Sequence, residues 1–299
     1  MCNPARDMTD WNDLKYVLET VRQGGVSGAA RVLGVNHATV SRRIAAAEAD
    51  MGARLFERLP GGYAPTDAGQ EAARAAERME LANADLGRLI AARDRSLSGE
   101  LKVTAPQLMV ERVLAPTLVD FRKAHPQIDV TVIATNEVLS LTRREADVAF
   151  RISDAPPETL VGTRVAEQKA GVYASRALLK ARSQDPAQPL DWVRCAHWPG
   201  PPEEVKRALP NRRIALTVDD MIAAIGVVRA GIGATRMACF LGDTDPLLAR
   251  VPGAPLFDYA PIWVLTHPDL RDTPRVATFM SFAAARIRRM RPLFEGKGA

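Results

Sequence analysis

Ser27-Gly-Ala-Ala-Arg-Val-Leu-Gly-Val-Asn-His-Ala-Thr-Val-Ser-Arg-Arg-Ile44 reads as a short helix, a tight turn and a second helix. Ser27 is placed to cap the first helix by accepting from an orphan backbone N–H. Ala29, Ala30, Val32 and Leu33 supply small apolar packing, Gly34 suits the left-handed residue that ends a helix, and Asn36 suits the next cap. Each helical residue advances about 100°. Val40, Ile44 and Ala47 therefore form one buried stripe, and Arg42 points away from it with Ala38 and Ala45 alongside. Thr39 and Ala46 lie to one side of that outer line and Ser41 to the other, with His37 and Arg43 nearer the shoulders. Alanines there let a helix approach a DNA groove closely, an arginine fork matches guanine or phosphate, and Thr39 and Ser41 are short hydrogen-bonding groups. The alternative is an ordinary pair of helices with two solvated arginines; the small first helix, the Gly turn and the capped second helix favour DNA.

The chain has 299 residues, enough for two or three domains, with 47% hydrophobic and 25% charged residues, as in a globular protein. A net charge of +5 permits nucleic-acid binding without requiring it. Residues 1–65 hold eight Lys/Arg against seven Asp/Glu, so placement outweighs total, and Arg31, Arg42, Arg43, Arg54 and Arg58 can share one side. Cys2, Cys195 and Cys239 form no CxxC pair and no disulfide framework. With a polar Met1-to-Asp10 start and no apolar run of about 20 residues, the expectation is a cytoplasmic protein without membrane contact.

Trp11, Leu14, Val17, Leu18 and Val21 recur at helical spacing and predict a helix beneath the pair. Leu55-Phe-Glu-Arg58 and Tyr63-Ala-Pro65 flank a Gly-rich tip, which predicts a hairpin wing with Arg58 near a phosphate. Thr66 caps a helix to about Arg93, along which Ala72, Met79 and Leu86 repeat as one heptad site and Ala75, Ala82 and Leu89 as another. That seam can pack on its own domain; dimerisation is the preferred expectation, because the helix follows a finished domain and precedes the turn-like run Arg95 to Gly99. Strands are expected at Leu101–Thr104, Asp129–Ala134, Asp147–Arg151, around Val172-Tyr173 and at Ile262–Thr266. Helices are expected between the first two strands, at Glu137–Arg144, at Asp219–Ala230 and at Pro274–Met290, with a loop at Trp198–Pro202. The alternation implies an open, largely parallel α/β sheet, and the length implies two lobes with the last strand and helix returning to the first.

Residues Trp11 to about Gln70 resemble the DNA-binding region of LysR-type transcriptional regulators. The resemblance rests on the quoted stretch, on Gly52-Ala-Arg-Leu-Phe-Glu-Arg and on Pro65-Thr-Asp-Ala-Gly69, and more loosely on Ala146-Asp-Val-Ala-Phe-Arg-Ile, Ala230-Gly-Ile-Gly233 and Thr266-His-Pro-Asp269. It implies a winged helix-turn-helix over 8–66, a dimerising linker helix over 67–94 and a two-lobed effector domain resembling a periplasmic binding protein over 95–299. Lobe I would span about 100–162 and 263–295, and lobe II about 163–262. The implied partners are double-stranded DNA with a dyad-symmetric operator, a small-molecule effector and further copies of the chain, as a dimer or a dimer of dimers, with RNA polymerase as a candidate. Carried over residue by residue, Arg42 and its neighbours His37, Ala38, Thr39, Ser41 and Arg43 match the DNA-reading helix, and Thr104, Pro106, Gln107, Arg151 and Asp219 match effector positions; the capping residues Ser27 and Asn36 and the wing's Arg58 complete the DNA-binding candidates. Between Arg176 and Arg213 the chain departs from the family's pattern.

Thr104 and Arg151 also suit a crevice at the carboxyl ends of parallel strands, where an arginine favours a carboxylate or phosphate. The alternative for Arg151 is a salt bridge to Asp154 or Glu158. Enzyme signals are weak: four dispersed histidines without HExxH, no GxSxG elbow, and a Gly231-Ile-Gly233 that follows a helix rather than opening one. No catalytic residue, metal ligand or cofactor is therefore expected. A transport-type solute receptor, the other rival, does not account for the N-terminal region.

Overall fold

The computed structural model describes residues 10–59, 62–93, 96–184, 189–196 and 200–297, without the side chains of Arg58 and Ala92. Cys2, the wing tip Pro60-Gly61, Arg95 and Trp198 lie outside them. The chain forms two compact units, one ending at Gly87 and the other beginning at Arg88.

The first unit contains α1 (Trp11–Arg22), α2 (Val26–Leu33), α3 (His37–Met51), β1 (Phe56–Leu59), β2 (Gly62–Pro65) and most of α4 (Asp67–Arg93). Its centre is small because its residues are small: Ala29, Ala30 and Ala47 pack with Val17, Val40, Ile44, Leu55 and Phe56. β1 and β2 pair antiparallel from Phe56 opposite Pro65 to Leu59 opposite Gly62, forming the wing. Thr66 ties the wing to α4 by donating to the Arg54 carbonyl at 2.8 Å and accepting from Gly69 N–H at 3.0 Å. The heptad expected of α4 divides. Ala72 joins this unit's own core, and Ala73 and Ala76 pack on Leu14 and Leu18. Arg22 of α1 adds ion pairs to Glu77 and Glu80.

The second unit runs through β3 (Gly99–Ala105), α5 (Gln107–Met109), a π-helical turn at Val110–Leu114, α6 (Ala115–Ala124), β4 (Ile128–Ala134), β5 (Val148–Ile152) and β6 (Val161–Ser175). Then come α7 (Arg176–Arg182), β7 (Leu190–Cys195), α8 (Glu203–Ala208), β8 (Arg212–Val218), α9 (Met221–Arg229), β9 (Ala234–Ala238), α10 (Cys239–Gly242) and β10 (Leu248–Arg250). β11 (Phe257–Thr266), α11 (Pro274–Arg289) and α12 (Arg291–Phe294) complete it. The sheet order is β4-β3-β5-β11-β6-β9-β7-β8, with β10 on β6.

The expected parallel character holds in the two outer groups, where β3 pairs parallel with β4 and β5, and β7 with β8 and β9. It fails in the middle. β11 is antiparallel to both β5 and β6, and β6 to β9, so the sheet is mixed. The two groups are the lobes, joined by the long strands β6 and β11. As expected, the chain's end returns to the first lobe: Phe279 of α11 meets Phe121 edge-on at 5.0 Å, beside Phe150 of β5.

The helix expected at Glu137–Arg144 does not form. Ser140 and Glu145 bond each other across a single turn, and Arg144 at φ 61° has left the right-handed region. The helix expected from Asp219 begins at Met221, because Asp220 is its cap.

Candidate nucleic-acid interface and effector cleft

Asn36 holds the amino end of α3: its Oδ1 accepts from Thr39 N–H at 2.8 Å and from Thr39 Oγ1 at 2.9 Å. The Thr39 hydroxyl has thus spent its proton and offers acceptor capacity outward. Gly34 ends α2 with φ 64°, as expected. Ser27 does not cap α2; the cap position is Gly25, and Ser27 is exposed inside the first turn. Val32 is exposed rather than packed.

Val40, Ile44 and Ala47 are buried, and Ala38, Arg42 and Ala45 stand together on the exposed face. His37 is also exposed and Ser41 half-buried. Arg43 differs from its neighbour. Its guanidinium donates to the buried carboxylate of Asp13 at 3.0 Å and lies 6.0 Å from the centre of the Tyr16 ring, which locks α3 to α1. Glu48, which the sequence did not mark, accepts from the backbone N–H of Leu55 and Phe56 at 2.8 and 3.1 Å and binds α3 to the wing. Arg58 stands on β1 opposite Tyr63; its side chain is outside the described residues.

Along α4, Ala75 is half-buried and Ala82 is exposed. Met79, Leu86, Leu89 and Ile90 are 41%, 56%, 57% and 63% exposed, an apolar strip unusual on a solvated helix.

In the second unit, a cavity of about 390 Å³ opens where the two lobes face each other. Pro106 and Leu108 at the start of α5, Asn136 after β4, Ile152 of β5, Met221 of α9 and Phe240 of α10 line it, together with Asp219, Asp220 and Tyr259. Of the expected effector residues, Pro106 and Asp219 reach it. Thr104 is fully buried in the sheet, and Gln107 is exposed outside the lining. Arg151 points the other way because side chains alternate along a strand, and it is Ile152 that faces the cleft. Arg151 instead donates to the Leu139 carbonyl at 3.0 Å, and burial lowers its pKa. Among the described residues it makes no ion pair with Asp154 or Glu158.

Asn136 could have been found, since it follows β4 as Pro106 follows its parallel neighbour β3. Tyr259 could not, because it lies within a strand that turns to the cleft only in the folded chain. Burial pushes its phenol upward against the opposing charge of Arg236. Asp220 caps α9 by accepting from Ile222 and Ala223 N–H at 2.7 and 3.1 Å. Its second oxygen meets the Asn136 amide at 3.5 Å across the cleft. The amino end of α9, otherwise an anion site, is therefore filled by the chain's own carboxylate. No Lys, Arg or His is among the described lining residues of this cleft.

The family model for the bacterial regulatory helix-turn-helix of the lysR family matches residues 11–70, and that for the LysR substrate binding domain matches residues 94–288. The Mau operon transcriptional activator of Paracoccus denitrificans is 26% identical over 89% of this chain and 92% of its own length. The regulator IlvY of Escherichia coli is 28% identical over 79% and 84%. The full-length Vibrio cholerae virulence activator AphB shares the fold with a TM-score of 0.58 at 19% identity, over 92% of this chain and 99% of that one. A capped helix-turn-helix with its wing, followed by a two-lobed domain around a cleft, matches both family models in order and extent: the chain belongs to the LysR family of transcriptional regulators.

Proposed function

We propose that this regulator binds dyad-symmetric DNA as a dimer joined along the exposed strip of α4, with the two α3 helices in major grooves about one helical turn apart. The observation that carries this reading is the Ala38–Arg42–Ala45 face, which combines close backbone approach with one outward guanidinium. Arg42 reads base edges, Ser41, Thr39 and His37 flank it, and Arg43 positions α3 through Asp13. An effector enters the cleft at Pro106, Ile152, Asp219 and Tyr259. The differential affinity of the effector for open and closed lobes then changes DNA affinity, and operator binding changes effector affinity by the same factor. A protein with this role works in the cytoplasm, and an activating role includes contact with RNA polymerase.

The test is selection of genomic fragments by purified protein, with Arg42→Ala run in parallel. Enrichment of a few dyad-symmetric sites by the wild type, lost in Arg42→Ala, is expected. An unchanged ratio of operator to random-DNA affinity in the variant would overturn Arg42 as the reader.

A further inference from the structure

Lobe II holds a second cavity, of about 290 Å³, against the face of the sheet turned away from α9. Alternation along the strands sets the face. Val193 and Met237 belong to the core that holds α9, whereas Trp192 and Ala234 pack with Val205 of α8. Arg194 and Arg236, two residues beyond Trp192 and Ala234, follow them to the α8 side, and β8 adds Arg212 and Ile214. The described residues lining the cavity thus include three guanidinium groups and no carboxylate.

The oxygens that accept from two of these arginines are neutral. Arg194 Nε donates to Thr217 Oγ1 at 3.1 Å. Arg212 donates to the carbonyls of Val205, Lys206 and Leu209 at the carboxyl end of α8, with its guanidinium 5.8 Å from the centre of the Trp192 ring. Arg236 donates to the Gly200 carbonyl at a long 3.4 Å. Glu203, whose carboxylate feels Arg212, is bonded to Lys206. Burial pulls the Arg236 guanidinium below its ordinary pKa, an effect that a neighbouring anion reverses. The inter-lobe cleft, by contrast, presents Asp219 and Asp220.

We propose that this cavity is a second ligand site, separate from the cleft, for a small amphipathic anion. Its carboxylate or phosphate monoester group would sit among Arg194, Arg212 and Arg236, and its apolar or aromatic body against Ile214 and Trp192. Planar guanidinium forks suit both anions, and a cavity with apolar walls holds the body out of water. Cys195 lines both cavities, so an occupant here shares a wall with the cleft and is placed to alter effector affinity.

The test is calorimetric titration of the full chain with benzoate, with phenyl phosphate and with neutral benzamide. Saturable binding of at least one anion, with benzamide at least tenfold weaker, is expected, and which anion binds tighter assigns the head group. Arg194→Gln and Arg236→Gln should each weaken the anion at least tenfold, the scale of one charge-assisted hydrogen bond. Arg42→Ala, which alters the DNA face, should leave it unchanged, and Leu108→Trp, which narrows the neighbouring cleft, should not abolish it. Exposed Arg194 gives a variant that keeps the fold, checked by an unchanged melting temperature. Absence of saturable heat to about 10 mM of either anion overturns the site. So does binding that survives both arginine variants, or binding lost in Leu108→Trp.

Discussion

Arg42 and Arg43 are indistinguishable as letters, and their surroundings separate them. Arg42 stands in solvent, whereas Arg43 completes a charge pair with an Asp13 that has almost no contact with water. Arg42→Ala should leave the melting temperature of the DNA-binding unit unchanged while costing about 1–3 kcal/mol of operator discrimination, read by competition binding. Arg43→Ala should lower both stability and affinity, because it strands a buried carboxylate. Equal melting temperatures for the two variants would refute the division. The caps were legible because Gly34 and Asn36 act on backbone groups within four residues. Gly69 was legible only as part of a motif, and packing gives its reason: a Cβ there would lie 2.0 Å from the Leu55 carbonyl oxygen. Gly69→Ala is expected to destabilise the unit by about 2 kcal/mol in thermal unfolding. Thr104 and Arg151 stand outside the cleft lining for a related reason: sequence puts a residue near a strand end, and only the pleat decides which face it serves, whereas Gln107 opens α5 and is exposed.

At the scale of the element, α4 shows how a repeat can mislead and inform at once. The heptad spacing was real, but its first positions are spent inside the chain's own helical unit and its later ones remain uncovered. Leu86→Glu with Leu89→Glu should therefore shift the protein toward monomer in sedimentation velocity without lowering the melting temperature of the DNA-binding unit. A persistent dimer would move the interface elsewhere. The turn at His267 supplies a pH dependence. Burial first, then the charge of Arg88, lower the His267 pKa against the opposing pull of Asp269, and its Nδ1 accepts from Asp269 N–H at 3.3 Å. The folded state thus favours neutral imidazole, and the unfolded chain takes up the proton first as pH falls below about 6.5. This contribution to stability is complete above that value and declines as pH falls through the lower, folded pKa. His267→Asn should flatten the pH dependence of the melting temperature between neutral and mildly acidic pH; an unchanged slope would remove His267 from the account.

For the whole molecule, the order of domains was readable because each segment carries its own periodicity, and the mixed sheet was not. Its antiparallel centre comes from two strands, β6 and β11, whose lengths of 15 and 10 residues the local patterns at Val172-Tyr173 and Ile262–Thr266 only sampled. These strands are also the connection between the lobes, and their pairing is irregular from Tyr259 to Trp263, with two successive register shifts. The register shifts between Tyr259 and Ile262, where Pro261 has no N–H to give and Gln168 Nε2 reaches the Ala260 carbonyl. The interrupted ladder is held less regularly than its flanks, so any twist of one lobe against the other is expected to concentrate there, as a door turns on its pin. Tyr259 sits on that pin and lines the cleft, so a ligand pressing on it would bear on the axis itself. Amides on either side of Pro261 should then exchange with deuterium faster than the flanking ladder, and filling the cleft should slow them first.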